Sequence, residues 1–420
     1  MLEPVKTTGI NYKSVIKSAL KIITPLIITI LAVVVLFMVA DFRENRRNAL
    51  TREALLYDFD YLITTLEENF PSFGIIYRRN GVDMMALAQD VRIQLYEMPN
   101  LDVVRFWITL RDNFFYYAYP VGHLRIVDGV ERRILVDYRI RNSHLAHELR
   151  DLPGTSPRLL AAMPTPTGAQ LQFDFIDEGR IAYLAINGSM TWTLRDELRV
   201  NLRNFYQDIA GYEHLIIDMR HSPGGHPRFF TDYIAPPLVR DRFIKTFYNF
   251  YQAGSHNVEF MYRRMVLQGL PFCVSDLDEL FPGEYIPQYL IDDLSNKDFM
   301  FRSGASLMRG ITPSPFNGEI WMLIGPHMYS GSQTIATLVY ESGFATMVGE
   351  TTGGMAVATR PSSNFFALPN TGIVIRYDHA LITDSRGRPL EYGTDPHYFN
   401  RPGMDALETV LALIEEGWSR

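Results

Sequence analysis

The sequence predicts an α/β fold, and three observations carry that expectation. From about residue 122 onward, short apolar runs alternate with stretches of helical period, the pattern of crossover units in an α/β layer. Ahead of that point, apolar residues recur at intervals of three and four, which predicts a small helical domain. Hydrophobic residues make up 47% of the chain and charged residues 21%, a composition that excludes a disordered or fibrous protein.

The N-terminus predicts a membrane segment. Residues 22–40 (IITPLIITILAVVVLFMVA) carry no charge, and a helix of about 20 residues rises roughly 30 Å, the hydrocarbon thickness of a bilayer. Lys6, Lys13, Lys17 and Lys21 precede the run, and Arg43, Arg46 and Arg47 follow it beside Asp41 and Glu44. This balance favours the N-terminus inside. Met38 and Ala40 do not form a small-x-small cleavage site. Residues 1–21 are therefore expected to be a cytoplasmic tail and 22–40 an uncleaved transmembrane signal anchor, placing the rest of the chain outside the cytoplasm at the cell membrane.

The segment 41–125 is read as a juxtamembrane stretch and helical domain. Leu55, Phe59, Leu62, Leu66 and Phe70 form one amphipathic face that Pro71 ends. Further helices are expected over 84–96 and 101–115. Residues 126–420 are read as the α/β core. RIAYLAI predicts a strand, 194–209 a helix and HLIIDMR a buried strand. EIWMLIG predicts another strand, 332–341 a helix, FATMVG and GIVIRY strands, and DALETVLALIEEGW a closing helix. Residues 240–318, rich in aromatics and arginine, show no clear period and read as an insertion.

Charge and cysteine content narrow the function. A formal net charge of −7 argues against a sequence-independent nucleic-acid binder, so no nucleic-acid partner is expected. The single cysteine, Cys273, excludes an intrachain disulfide and a cysteine-based zinc cage. His144/His147 and His221/His226 offer a weak metallohydrolase reading without an HExxH motif; no metal and no cofactor is expected.

Four segments carry residues fit for chemistry. In IWMLIGPHMYSGSQTIATLV, Ser330 follows a strand and precedes a helix, where unpaired backbone N–H groups and the helix dipole favour an acyl-transfer nucleophile. The competing role for Ser330 or Ser332 is a simple N-cap. In LIIDMRHSPGG, Gly224 and Gly225 let a turn direct N–H groups at a ligand. His123 in YAYPVGHLRIV and Glu391 in GRPLEYGTDP complete the set. Singly, each is a common structural residue.

Together and in this order, these segments resemble the serine peptidases that include tricorn protease and the carboxyl-terminal processing proteases, with interphotoreceptor retinoid-binding protein as a relative. VGHL resembles the family's DGHT, and IIDMRHSPGG its IIDLRxNxGG. YSGSQ resembles SASAE, FATMVGETTGG resembles AxxVGExTxG, and LEYGTDP resembles ExxGVxPD. The resemblance spans about residues 51–415 and implies a crotonase-like α/β serine-peptidase core acting on a peptide or protein substrate. Only about 55 residues separate His123 from RIAYLAI, too few for a PDZ module.

The processing proteases use a Ser–Lys pair, but Met355 stands at the lysine position and no lysine follows Lys297. The tricorn-like pattern instead implies Ser330 as nucleophile, His123 as base and Glu391 as the group that holds the imidazole directly or through a bridge. Gly331, with Gly224 or Gly225, would form the oxyanion hole. Val121 and Gln333 depart from the acid and the glutamate usual at their positions. These departures and the aromatic insertion keep open a second reading, a catalytically silent, membrane-tethered protein that binds peptides or apolar ligands.

Overall fold

The computed structural model describes residues 50–127, 168–191, 196–259, 272–273, 280–295, 297–310, 314–354 and 363–418. The expected anchor at 22–40, Met355 and the stretch proposed to be too short for a PDZ module (largely 128–167) lie outside them. No helix among the described residues is long and apolar enough to cross a membrane.

The helical segment begins with α1 (Arg52–Asn69), whose N-cap Thr51 accepts a hydrogen bond from the Ala54 N–H. Its expected stripe of Leu55, Phe59, Leu62 and Leu66 is buried, and the helix ends at Phe70 before Pro71. Next come α2 (Phe73–Asn80) and α3 (Met84–Glu97), the latter capped by the Asp83 carboxylate. The helix expected over 101–115 is regular only as α4 (Val103–Thr109); Leu110–Phe115 is π-helical. The wider turn buries Leu110, Phe114 and Phe115 together, with the two phenylalanine rings edge-to-face.

The α/β part starts with β1 (Arg125–Ile126), β2 (Gln170–Asp177), β3 (Ile181–Asn187), α5 (Asp196–Asp208) and β4 (His214–Asp218). After β5 (Phe243–Tyr251), β6 (Phe272–Cys273), α6 (Gln288–Ser295) and β7 (Phe299–Leu307), the chain enters β8 (Glu319–Ile324), α7 (Gly331–Ser342) and β9 (Thr346–Gly349). It finishes with β10 (Asn364–Ala367), β11 (Val374–Tyr377), β12 (Leu381–Asp384), β13 (Tyr398–Phe399) and α8 (Ala406–Glu415).

The main sheet has the order β13-β9-β8-β4-β3-β2, parallel except for β2. Alternation in β4 sends Leu215 and Ile217 into the core shared with α5 and α7, and Ile216 into the opposite core against α8. Full burial of such side chains contributes about 1.5–3 kcal/mol each. Because β4 and β8 are parallel neighbours, the loops leaving their C-terminal ends emerge side by side, where open α/β sheets place ligands.

The segment read as an insertion without period contains two long strands. β5 and β7 pair antiparallel along their whole nine-residue lengths, in the sheet order β12-β5-β7-β6. Their sequences hide the alternation because polar residues take buried positions, Lys245 and Asn249 on β5, while the apolar Ile244 is exposed. On β5 the Lys245 ammonium is buried against Glu341 of α7, with Asp384 of β12 at 3.8 Å. A third sheet, β1-β11-β10, shares its core with the helical segment: Ile375, Tyr377 and Phe366 pack with Leu62, Leu66 and Phe114.

Candidate active site

Ser330 stands between β8 and α7 with φ 57° and ψ −117°. A non-glycine residue adopts this conformation only when its surroundings impose it, and such strain concentrates at functional turns. Although Ser330 is the N-cap of α7, its side chain makes no capping hydrogen bond. Ser332 differs: it is fully buried and its Oγ lies 3.0 Å from Ser222 Oγ, which pins the β8 turn to the β4 loop.

The glycine turn after β4 lies directly against this serine. Gly224 has φ +120°, and a Cβ there would fall 2.4 Å from the Tyr329 carbonyl oxygen and 3.1 Å from Ser330 Cβ. Its backbone is thus the near wall of the serine site, with Gly331 N close by. Gly331 packs on the Gly225 carbonyl. Gly225 is held from its other side by Met190, whose N–H donates to the Gly224 carbonyl at 2.8 Å.

His123 reaches the same place from the helical segment. Gly122 and His123 both have positive φ, 62° and 47°. A Cβ on Gly122 would meet the Phe70 ring at 2.4 Å, so the turn needs glycine. The His123 ring is edge-on to Tyr329, with centroids 5.1 Å apart. The Tyr329 hydroxyl donates to the Pro120 carbonyl, so the residue before Ser330 fastens the serine turn to the histidine turn.

The carboxylate at the imidazole is one the sequence reading did not single out. Asp378, immediately after β11, places its oxygens 3.0 and 3.2 Å from His123 Nδ1. Ser363 Oγ donates to Asp378 at 2.6 Å, and Arg376 Nε donates to Ser363 Oγ at 3.0 Å. The Asp378 backbone N–H also donates to the Gly122 carbonyl at 2.7 Å. Sequence signalled this only through position: GIVIRY was read as a strand, and the acid is the next residue.

Glu391, expected to hold the imidazole, lies in a short 3-10 turn and is buried. Its Oε2 has no hydrogen-bond partner. Arg79 donates to the Glu391 and Gly353 carbonyls, tying α2 to the two loops. Gln333, at the family's glutamate position, is buried and bonded to Thr337, Thr352 and Thr394.

These environments set the protonation states. Burial, then Arg376, lowers the His123 pKa; Asp378 only partly offsets them, so the imidazole rests neutral. Burial would raise Asp378, but His123, Arg376 and Ser363 outweigh it and hold the carboxyl below its usual range. Burial and the Asp378 charge push Glu391 up to about 8, against Arg79 and Gly122. A neutral imidazole beside an ionised carboxylate is fit to accept a proton. Among the described residues no group of three or more His, Cys, Asp or Glu side chains is placed to hold a metal ion; His144 and His147 lie outside them.

Residues 180–399, more than half of the chain, match the model of peptidase family S41. A candidate peptidase from Parabacteroides merdae ATCC 43184 aligns with TM-score 0.51 and 17% identity, covering 87% of this chain and 95% of that one. Mature CPAF complexed with lactacystin aligns with TM-score 0.52 and 11% identity, covering 87% and 97%. At these identities the likeness shows the fold. No curated protein matches. With the family model spanning the β3-to-β13 core, the chain belongs to peptidase family S41 and is a serine-type peptidase.

Proposed function

We propose that the protein is a membrane-anchored peptidase facing outside the cytoplasm, which hydrolyses peptide bonds through an acyl-enzyme formed on Ser330. The observation that carries this reading is the strained, uncapped Ser330 at the start of α7, one residue from the tyrosine packed on His123. Ser330 Oγ attacks the scissile carbonyl carbon while His123 Nε2 takes its proton. The oxyanion is stabilised by the Gly331 N–H and a backbone N–H of the Gly224-Gly225 turn, each donor worth about 10²–10³ in turnover.

Collapse of the tetrahedral intermediate breaks the C–N bond, and His123 returns its proton to the departing amine. Water then attacks the Ser330 ester, again giving a proton to His123, and the acid product leaves as Ser330 is reprotonated. The uncharged run at 22–40 supports the anchor.

Peptide hydrolysis by the detergent-solubilised full chain tests the chemistry. Cleavage of a mixed peptide library lost in both Ser330→Ala and His123→Ala supports it; cleavage unchanged in Ser330→Ala overturns it. For the anchor, release of the chain from membranes by high salt without detergent is the contradicting result.

A further inference from the structure

We infer that Asp378, not Glu391, is the positioning carboxylate for His123. The inference rests on the peptidase reading above and deepens it.

Asp378 grips the histidine turn at two points. Its backbone N–H holds the Gly122 carbonyl at 2.7 Å, and its carboxylate faces His123 Nδ1 at 3.0 and 3.2 Å. With Nδ1–H donating to Asp378, the Nε2 lone pair is presented on the far side of the ring, the tautomer a base needs. The carboxylate is itself fixed: Ser363 donates to Oδ1 and Arg376 orients Ser363. β11 delivers this geometry, since Asp378 follows Tyr377, which is buried and hydrogen-bonded to Asn257. Each member of the chain from Arg376 to the imidazole is therefore oriented by a partner.

Glu391 has no such relation to the ring. Its Oε2 is buried without a hydrogen-bond partner. A second ionised carboxylate here would face Asp378 in a dry site, where like charges are costly. The charged and titratable groups around the turn are Asp378 and Arg376 from the β11 end, Arg125 from β1, Arg79 from α2, Tyr329 before α7, and Glu391. Of the two acids, the one held ionised is thus the one that faces the imidazole.

The test compares Asp378→Asn, Ser363→Ala and Glu391→Gln in the solubilised full chain. It reads kcat and KM on a cleaved peptide, the rate of fluorophosphonate labelling and the pH profile, with thermal melting to verify folding. Asp378→Asn is expected to lower kcat and the labelling rate by about 10²–10⁴-fold with KM little changed. Removing the Asp378 charge, which raises the His123 pKa, moves the ascending limb of kcat/KM to lower pH. Ser363→Ala lowers kcat in the same direction by less, and serves if Asp378→Asn does not fold. Glu391→Gln retains more activity than Asp378→Asn. Wild-type rates in Asp378→Asn, an unmoved pH limb, or a larger loss in Glu391→Gln overturns the inference while Ser330-dependent labelling still stands. Wild-type protein with no Ser330-dependent labelling overturns the peptidase reading along with it.

Discussion

The ring of Tyr329 stands edge-on against the imidazole of His123, with centroids 5.1 Å apart and planes at 72°. Tyr329 immediately precedes Ser330, so a residue from the β8 end of the main sheet is locked onto a residue from the helical segment. The Tyr329 hydroxyl on the Pro120 carbonyl adds a second tie. The site is therefore assembled across the junction of two cores, and its geometry depends on both.

Gly224→Ala is expected to damage the site locally. A Cβ there would fall 2.4 Å from the Tyr329 carbonyl oxygen, at a φ of +120° that side chains rarely adopt. The serine turn must shift, misplacing a backbone N–H proposed to hold the oxyanion. Steady-state kinetics should show kcat lowered by about 10²–10³-fold.

Activity should begin at lower pH than an ordinary histidine allows. His123 acts as a base only when neutral, and burial followed by Arg376 lowers its pKa below the usual 6.5. The ascending limb of kcat/KM reports the free enzyme. It is expected below that value, and a limb above 6.5 would contradict the environment described for the ring.

Glu391→Gln should stabilise the protein more at pH 8 than at pH 5. The folded-state pKa of Glu391 is raised from 4.5 to about 8, so the native state binds a proton that the unfolded chain releases over this window. Wild-type stability thus falls as pH rises through it, on the order of a few kcal/mol. A glutamine carries no such proton, and the melting-temperature difference between variant and wild type should grow with pH.

Lys245→Ala should destabilise the fold by about 1.5–3 kcal/mol in denaturant titrations, because it removes the buried cation from Glu341 and Asp384 and leaves only the more exposed Arg388 to hold them. Lys245→Met removes the same charge but restores packing volume, so its cost should be smaller if packing contributes.

Ser332→Ala loses the hydrogen bond to Ser222 and should cost about 1 kcal/mol in stability. Fluorophosphonate labelling should persist, since this side chain is fully buried.

Much of the core was legible because parallel strands buried on both faces read as apolar runs. HLIID and EIWMLI became β4 and β8, and the amphipathic stripe of Leu55 to Leu66 became α1. The paired strands β5 and β7 were not legible: on β5 the buried positions include Lys245 and Asn249 while Ile244 is exposed, so polarity does not follow the period of two. The same limit governs the site. Ser330, His123 and Gly224 announce themselves through glycine-bearing turns, whereas Asp378 is an acid after a strand whose partner lies 255 positions away. The antiparallel pairing of β1 with β11 and the Asp378 N–H on the Gly122 carbonyl bring those two ends together. Glu391 was singled out by its place in a motif, but the carboxylate at the imidazole is Asp378.

The most direct measurement is mapping the fluorophosphonate adduct by peptide mass spectrometry on folded full-length protein. A single phosphonyl group is expected on the peptide containing Ser330, absent in Ser330→Ala and His123→Ala and retained in Ser332→Ala. An adduct on another serine, or labelling undiminished in Ser330→Ala, would contradict it.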